Sequence, residues 1–447
     1  MKRSAWRYLW KSEDIRKKLL ITLGLLILYR FAANVPVPGI NKEVLQALSQ
    51  SGGAAGNLFN LLDLLSGGTV SNFSILAMGV YPYITAQIII QLLVPIIPAL
   101  ERKLRENQRE GQRWMEKWTV ILTVPMAALS AVGQINIFNS LSGGQSILSS
   151  FGFTGADLLP TLTVLFSMIA GTMFGIWLGQ LISEYGIPNQ GLSLIIFAGI
   201  VSRIPSNLGS ILSDKQNGWW LLLTIIAILG LIIFAIVFVQ QGRRHVPVLF
   251  PGRRIGNRMS MPVRSNLPLM INMAGMIPLI FAQSIMTFPA IVASYFTNSE
   301  TIWIQNLAQS VSRTFGGGNA WYALIYFTMV VMFTFFYTDV LFTQQNYGDN
   351  LKRQGAQIPG VTRGTATQKY LSKVQRRITL PGALFLGFVA VLPFLVGLAL
   401  PVGASSSGIF LVSAAGLLIV VGVVRDTLNI IETELKLHGY DESLIKG

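Results

Sequence analysis

Long apolar segments alternate with shorter polar stretches along almost the whole chain. Ten of these segments are long or apolar enough to be candidate spans, given that a bilayer core requires about 20 residues of helix. The ten candidates are residues 19–36, 74–98, 118–138, 158–182, 192–212, 219–239, 268–296, 321–343, 380–400 and 409–424. This pattern predicts an all-α polytopic membrane protein with ten transmembrane helices.

Two of the candidate spans contain the same interruption. Residues 79–89 read GVYPYITAQII and residues 275–285 read GMIPLIFAQSI, with Gly, Pro and Gln at matching positions. Gly and Pro weaken the backbone hydrogen bonds of a helix, which is tolerated in a membrane only where other protein or a water-filled cavity satisfies the freed groups. The copies occupy the second and seventh spans. The pattern therefore predicts two inverted, pseudo-symmetric halves of five helices each, residues 1–215 and 216–447.

A short apolar stretch precedes the second span. Residues 57–74 read NLFNLLDLLSGGTVSNFS, and the apolar part ends at the Ser-Gly-Gly sequence of residues 66–68. Because this part is too short to cross a bilayer, it is typical of a helix that dips into the membrane from outside and turns back. An amphipathic helix on the outer surface is the alternative.

Composition supports the membrane assignment and removes several kinds of chemistry. The chain is 52% hydrophobic and 12% charged, and its mean hydropathy of +0.55 excludes a soluble globular domain. Cysteine is absent, which excludes disulfides, thiol nucleophiles and cysteine metal sites. The basic amino terminus is interpreted as the flank of an uncleaved first helix, because Arg30 interrupts the apolar run and nine more candidate spans follow.

The net charge of +15 is concentrated on one side of the predicted topology. Lys and Arg cluster before the first span and in the loops after the second, sixth and eighth spans, so both termini are expected in the cytoplasm. Residues 240–268 contain no acidic residue, and residues 344–379 are also long and basic. Loops of this size and charge indicate a large anionic partner, either ribosomal RNA or an acidic surface of a motor protein. A topology signal alone is the alternative.

No catalytic or metal constellation is evident. The chain has no phosphate-binding glycine loop, and its only histidines are His245 and His438, far from any carboxylate cluster. Charged residues near membrane depth are limited to Arg30, Arg203 and Asp339, each near a span end, which disfavours ion coupling. We therefore expect a passive conduit with no metal, no cofactor and no enzymatic activity. An ion-coupled secondary transporter of a small solute is the alternative, because inverted repeats and broken helices also occur there.

Several stretches together resemble the SecY family, the large subunit of the bacterial protein-conducting channel. They are AMGVYPYITAQIIIQLL, LSLIIFAGIV, LPLMINMAGMIPLIFAQSI, DNLKRQGAQIPG and TQKYLSKV, and the resemblance runs from residue 16 to about residue 430. It implies two five-helix halves around a central pore, with a plug helix and a lateral opening between the second and seventh helices. The implied function is conduction of unfolded polypeptides and lateral release of hydrophobic segments into the bilayer.

The resemblance also assigns roles to individual residues. A constricting ring of aliphatic side chains falls on Val80, Ile84, Leu192, Ile196, Ile280 and Ile419. Such a collar excludes water and ions yet moves aside for a polypeptide. By the internal repeat, Met276 is a lesser candidate for the ring. The plug corresponds to residues 57–72, with apolar side chains Leu58, Phe59, Leu61, Leu62 and Leu65. Polar positions of the lateral gate fall on Gln91 and Asn272.

The basic loops are implied to bind a motor or the ribosome. The residues assigned to this role are Arg243, Arg244, Arg253, Arg254, Arg258, Lys352, Arg353, Arg363 and Lys369. The implied partners are SecE-like and SecG-like small subunits, a SecA ATPase, the ribosome, signal sequences, nascent or preprotein chains and lipid. The implied location is the bacterial plasma membrane.

Three positions depart from the family pattern. Thr362 stands where the family commonly has an arginine, and Arg363 follows it. Gln190 resembles a one-residue insertion, on which the assignments of Leu192 and Ile196 depend. Asp339 stands where an uncharged residue is more usual.

Overall fold

The chain is mostly helical in the computed structural model. The structure describes residues 12–41, 43–44, 69–70, 73–98, 100, 108–141, 147–148, 152, 155–212, 218–250, 254–255, 258–259, 263–296, 301–315, 320–399 and 404–437. The helices in these ranges are α1 (Glu13–Ala32), α2 (Tyr81–Ile96), α3 (Gln108–Leu141), α4 (Leu158–Tyr185), α5 (Gly191–Leu212), α6 (Gly218–Gln241), α7 (Ile277–Phe296), α8 (Ile302–Phe315), α9 (Ala320–Gln344), α10 (Tyr347–Arg353), α11 (Thr365–Ala399) and α12 (Ala404–Leu437). The strands are β1 (Arg243–Phe250), β2 (Arg254–Ile255), β3 (Arg258–Met259) and β4 (Val263–Met270).

Each of the ten apolar segments overlaps one of these helices. Within the described ranges, four helical stretches are long and apolar enough to cross a membrane: Glu110–Asn136, Leu158–Tyr185, Ala320–Arg353 and Thr365–Leu392. Three shorter apolar helices cover Tyr81–Val94, Gly191–Ser202 and Gly230–Gln241. The membrane character of the chain is therefore clear, whereas the count of ten spans stays a prediction.

The repeated motif marks the start of a helix rather than a kink within one. Gly79 and Gly275 both have positive φ, +52° and +62°, and α2 and α7 each begin two residues later. A positive φ suits glycine because it has no Cβ, and proline is tolerated in the first turn because the N–H that it lacks would have no helical partner there. The segments before the two helices, predicted as parts of the spans, are therefore not helical.

The chain divides into two compact units. Unit 1 comprises Met1–Ile226, Ser284–Tyr322 and Val396–Gly447, and unit 2 comprises Ala227–Gln283 and Ala323–Leu395. The predicted division into membrane halves at residues 1–215 and 216–447 concerns topology and stays a prediction.

Unit 1 is held together by close helix packing on glycines of α4. This helix contacts α1, α3 and α5, and α5 also contacts α12. A Cβ on Gly171 would lie 2.0 Å from the backbone oxygen of Ile75, and a Cβ on Gly191 would lie 1.7 Å from the backbone oxygen of Gly179. Glycine therefore allows the backbones to approach at both places, as is common between membrane helices.

Unit 2 contains a β-hairpin where the sequence predicted only a polar loop. Strands β1 and β4 pair antiparallel from Arg243 opposite Met270 to Phe250 opposite Val263, and β2 pairs with β3 beyond them. Val246, Val248 and Leu269 are buried, whereas Pro247 between the two valines and both sequence neighbours of Leu269 are exposed, which is the alternation of a strand with one covered face. The sequence analysis predicted residues 240–268 only as a long basic loop between two spans, and these strands were not foreseen.

The hydrogen-bond pattern explains why the hairpin tolerates two prolines. The backbone N–H and C=O of Leu249 both hydrogen-bond Gln357, so these two groups point away from β4. Along an antiparallel pair, the backbone N–H and C=O groups of successive residues point alternately toward and away from the partner strand. The backbone nitrogen of Pro247, two residues before Leu249, therefore points away from β4. The nitrogen of Pro268, which pairs with His245, likewise points away from β1. Neither proline removes a ladder hydrogen bond.

Candidate functional site

Two of the candidate ring residues lie at the start of α2. Val80 is buried, and its carbonyl accepts the N–H of Ile84 over 3.1 Å. Ile84 is half-buried, one turn into the helix. A Cβ on Gly175 of α4 would lie 4.0 Å from the Val80 side chain, so Val80 faces α4 at ordinary packing distance.

Three more candidates lie on the contacting helices α5 and α12. Leu192 packs over Gly179, where a Cβ would come within 2.8 Å of its side chain. Ile196 on α5 and Ile419 on α12 are both 7% exposed. Unit 1 thus brings the two helices of these three candidates together, whereas their facing a common pore stays a prediction.

Ile280 is the equivalent position on α7, in unit 2. It is buried, and its N–H bonds the carbonyl of Met276 over 3.4 Å, just as Ile84 bonds Val80. The repeat therefore gives both isoleucines the same place in the first turn of their helices. Met276 itself is half-buried.

The two lateral-gate candidates have different surroundings. The Oε1 atom of Gln91 on α2 is buried and accepts no hydrogen bond in the described structure. Asn272 is buried before α7, where its Oδ1 accepts the N–H of Gly275 over 2.9 Å and its Nδ2 donates to the Gly275 carbonyl over 3.1 Å. Asn272 thus stabilises the positive-φ turn that starts α7, a local role that the sequence did not predict.

The predicted plug residues Leu58, Phe59, Leu61, Leu62 and Leu65 lie outside the described residues, whereas Thr69, Val70 and Phe73 are described and are packed. The hydroxyl of Thr69 donates to the carbonyl of Leu76 over 2.6 Å. Val70 and Phe73 are fully buried, and the Phe73 ring packs edge-on against Phe138 of α3 at a centroid distance of 5.8 Å. This packing at the carboxyl end of the predicted plug was not evident from the sequence.

The two basic loops form one structure in unit 2, which we call the basic platform: residues 243–250, 263–270 and 347–378. Backbone hydrogen bonds between Leu249 and Gln357, 2.8 and 2.9 Å long, join the hairpin to the second basic segment. One apolar cluster lies beneath both, with Val246, Val248, Leu269, Phe342, Leu351, Ala356, Ile358 and Leu371 buried. Sequence reasoning treated the loops separately and missed this shared core.

The basic platform presents many cations and a single acid. The exposed basic residues are Arg243, Arg244, Arg264, Lys352, Arg353, Arg363, Lys369, Lys373, Arg376 and Arg377. Asp349 is the one acidic residue in these ranges of the sequence. Of the other predicted loop residues, Arg253 lies outside the described chain, and Arg254 and Arg258 lie in β2 and β3, where only the backbone is described. The surface can therefore attract an extended anionic partner.

Arg363 in the basic platform and Asp339 next to it each have a side-chain hydrogen-bond partner. The Nε of Arg363 donates to the Oε1 of Gln357 over 3.2 Å, which orients an exposed guanidinium beside the join between the two segments. The Asp339 carboxylate on α9 accepts bidentate hydrogen bonds from the Arg376 guanidinium on α11, at 2.8 and 3.1 Å. The unusual acid at position 339 is thus part of an interhelical ion pair.

No metal-ligand cluster occurs in the part of the chain that the structure describes: no three His, Cys, Asp or Glu residues gather there. The features that stand out are a repeated helix start, apolar residues at matching positions and a cationic platform outside the apolar segments. These features are typical of a membrane channel or carrier protein that carries a cationic surface.

Comparison with known proteins gives the family. The SecY family model matches residues 74–428. A "Protein translocase subunit SecY" from Streptomyces galbus is 37% identical over 451 residues, covering 98% of this chain and 99% of the relative. The subunit of the same name from Escherichia coli (strain K12) is 35% identical over 437 residues, covering 97% and 95%. The chain belongs to the SecY family, which confirms the resemblance.

Solved structures show the same fold. A structure described as a protein conducting channel matches with a TM-score of 0.61 at 16% identity, covering 98% of this chain and 99% of that one. Sec61 in the canine ribosome-channel complex from the endoplasmic reticulum matches with a TM-score of 0.59 at 16% identity, over the same shares. The channel fold predicted from the sequence is therefore confirmed at the level of overall architecture.

Proposed function

We propose that the chain is the channel subunit of a protein translocase. It conducts unfolded polypeptides across the membrane and releases hydrophobic segments sideways into the bilayer. The observation that carries the proposal is the match to translocase subunits over nearly the full length of both chains. A channel subunit of this kind supplies a path for the polypeptide and catalyses no reaction.

The conducting path has two halves of five helices and a central aliphatic ring. The ring comprises Val80, Ile84, Leu192, Ile196, Ile280 and Ile419. Its support is the matching place of Ile84 and Ile280 one turn into α2 and α7, and the contact between α5 and α12. Branched apolar side chains at a constriction exclude water and ions, and they yield to a passing chain because they make no directional bonds with it.

Closure of the channel depends on the plug and on the seam between α2 and α7. Residues 57–72 form the plug, and the hydrogen bond of Thr69 and the burial of Val70 anchor its carboxyl end. Gln91 supports the seam, since its buried Oε1 has no donor in the described structure and is free to accept one. An interhelical bond of this type is worth about 0.6–2 kcal/mol, which a signal sequence entering the seam can overcome.

The basic platform binds the partners that push polypeptide into the channel. Its exposed cations suit ribosomal RNA or an acidic face of a SecA motor, and its single acid leaves the surface strongly positive. The channel fold is shared with Sec61 in the canine ribosome-channel complex, which supports a ribosome as one partner. SecE-like and SecG-like small subunits complete the complex.

Arg363, rather than Thr362, takes the role of the family's loop arginine in motor coupling. Arg363 is exposed and is held by Gln357, whereas the carbonyl of Thr362 accepts the hydroxyl of Thr367 and helps to start α11. Replacing Arg363 with Ala should lower motor-driven transport and leave thermal stability unchanged, whereas Thr362→Ala should leave transport unchanged. Equal rates of transport by the two variants would contradict the assignment of this role to Arg363.

The protein lies in the bacterial plasma membrane with both termini in the cytoplasm. Lys18, near the start of α1, hydrogen-bonds Glu434, near the end of α12, and this pair supports both chain ends being on one membrane side. The basic loops support the cytoplasmic orientation.

Disulfide crosslinking tests the path directly, because the chain has no native cysteine. Single-cysteine variants Ile84→Cys and Ile280→Cys would be presented with a stalled secretory chain that carries one cysteine, together with the SecA motor and ATP. The matched control is Ile226→Cys on α6, where the isoleucine is 55% exposed. We expect adducts at both ring positions and none at the control.

The outcome separates the channel from the alternative. If the secretory chain is engaged but reacts at neither ring position, the ring assignment fails and the small-solute transporter has to be reconsidered. Adducts at all three positions would indicate contact without a defined path and would equally contradict the ring.

A further inference from the structure

The short helix α8 has an exposed apolar edge that the conduction of polypeptide does not use. It runs from Ile302 to Phe315 between α7 and α9. At 14 residues it spans about 21 Å, less than the roughly 30 Å of a bilayer core. Chain order places a helix expected to cross the membrane before it and another after it, so α8 belongs at the membrane surface.

The faces of α8 have three different surroundings. Ala308 is 3% exposed and marks the side that packs on protein. The hydroxyls of Ser310 and Thr314 donate to the backbone carbonyls of Asn306 and Ser310 in the same helix. This side of the helix is polar and mostly exposed. Leu307, 50% exposed, lies between these two sides. Trp303, one turn before Leu307 and 72% exposed, shares the face of Ser310 and Thr314. A helix with one side on protein, one polar side and exposed apolar residues at the border of the polar side suits the boundary of a bilayer.

Neighbouring apolar side chains continue this edge and indicate what covers it. Phe296 at the end of α7 is 48% exposed, and Trp321 at the start of α9 is 69% exposed. Tryptophan is enriched where the membrane meets water, because its ring is apolar and its N–H needs a polar partner. The apolar edge of α8 is therefore flanked in the chain by helix ends whose aromatic side chains are exposed as well.

We propose that α8 is an interfacial helix that binds the phospholipid surface, with Trp303 and Leu307 inserted below the headgroups. It fixes the depth at which α7 ends and α9 begins. The proposal rests on the membrane embedding of the chain and not on polypeptide conduction, so the two can fail separately.

Fluorescence quenching at adjacent residues tests the proposal. Leu307→Cys and the matched control Asn306→Cys would each carry an environment-sensitive fluorophore on the otherwise cysteine-free chain. The full complex would be reconstituted in vesicles of phosphatidylethanolamine and phosphatidylglycerol. One sample would contain phospholipid with a nitroxide near the headgroup, and another would receive aqueous iodide.

The two labels should respond in opposite ways. At position 307 we expect blue-shifted emission, strong loss of fluorescence with nitroxide lipid and little with iodide, and at position 306 the reverse. Equal iodide quenching at both positions would mean that the edge faces water and would overturn the proposal. Protection of position 307 from both quenchers would mean that a protein partner covers the edge, and it would overturn the proposal as well.

Discussion

The shared core of the basic platform predicts that one leucine holds both basic segments in place. Leu371 of α11 is fully buried in the cluster beneath the hairpin and the second basic segment. Replacing it with Ala removes buried side-chain volume and leaves a cavity, at a cost of about 2–5 kcal/mol. The matched control is Leu380→Ala on the same helix, where the leucine is 53% exposed and outside the cluster.

The expected loss of stability can be measured as a change in the rate of proteolysis. Trypsin cuts after Lys and Arg, and it reaches most sites in a packed structure only when that structure opens locally. When opening is fast, cleavage follows the population of the open form. A loss of 2–5 kcal/mol raises that population roughly 30- to 4,000-fold, at about 1.4 kcal/mol per factor of ten. Leu371→Ala should therefore be cleaved within the basic platform at least tens of times faster than the parent protein.

The assay would compare cleavage of the purified complex in vesicles, followed by binding of ribosomes or the motor. Leu371→Ala should lose both protection and partner binding, although no basic residue is changed, and Leu380→Ala should keep both. If Leu371→Ala were cleaved at the control's rate, the apolar cluster would not hold the basic platform together. If it were cleaved rapidly yet bound partners normally, the arrangement of the cations would not matter for binding.

Two further substitutions test packing and charge elsewhere. Gly171→Ala would place a Cβ 2.0 Å from the backbone oxygen of Ile75 and should destabilise unit 1 by about 1–3 kcal/mol, measured as a lower midpoint of thermal unfolding. Gly24→Ala on α1, with nothing within 4 Å, should not lower it, and equal midpoints would contradict the close approach. Asp339→Asn should cost at most about 1 kcal/mol, because its ion pair with Arg376 is partly exposed, with the two side chains 40% and 67% exposed. The charge-swapped double variant should restore the midpoint, and a loss well above 1 kcal/mol would show that the pair is shielded from solvent.

The helical architecture was predictable because its signals are local. Apolar length marks a membrane helix wherever it occurs, and each of the ten apolar segments overlaps a helix. The motif of glycine followed by proline also carried real information, since Gly79 and Gly275 start their helices in the same way. The prediction erred only in placing the interruption within the helix, because sequence alone does not distinguish a kink from a start.

The basic platform was not predictable for the opposite reason. Its pairing joins residues far apart in the chain, such as Leu249 with Gln357, and charge dominates the composition of both segments. The alternation at Val246 and Val248 was a usable signal for a strand. The partner of Asp339 lies 37 positions away in sequence and could be found only once α9 and α11 were seen together.

The repeated helix start connects the local structure with the proposed constriction. In each copy a positive-φ glycine turns the chain, proline occupies the second helical position, and an isoleucine N–H closes the first turn on the residue after the glycine. The backbone thus fixes Ile84 and Ile280 at the same distance from the start of their helices. Two pseudo-symmetric helices can contribute to one ring only if equivalent side chains stand at equivalent heights. Because the repeat sets that height through backbone conformation, the ring that we propose needs no specific side-chain bonds, which would suit an opening that passes polypeptides of any sequence.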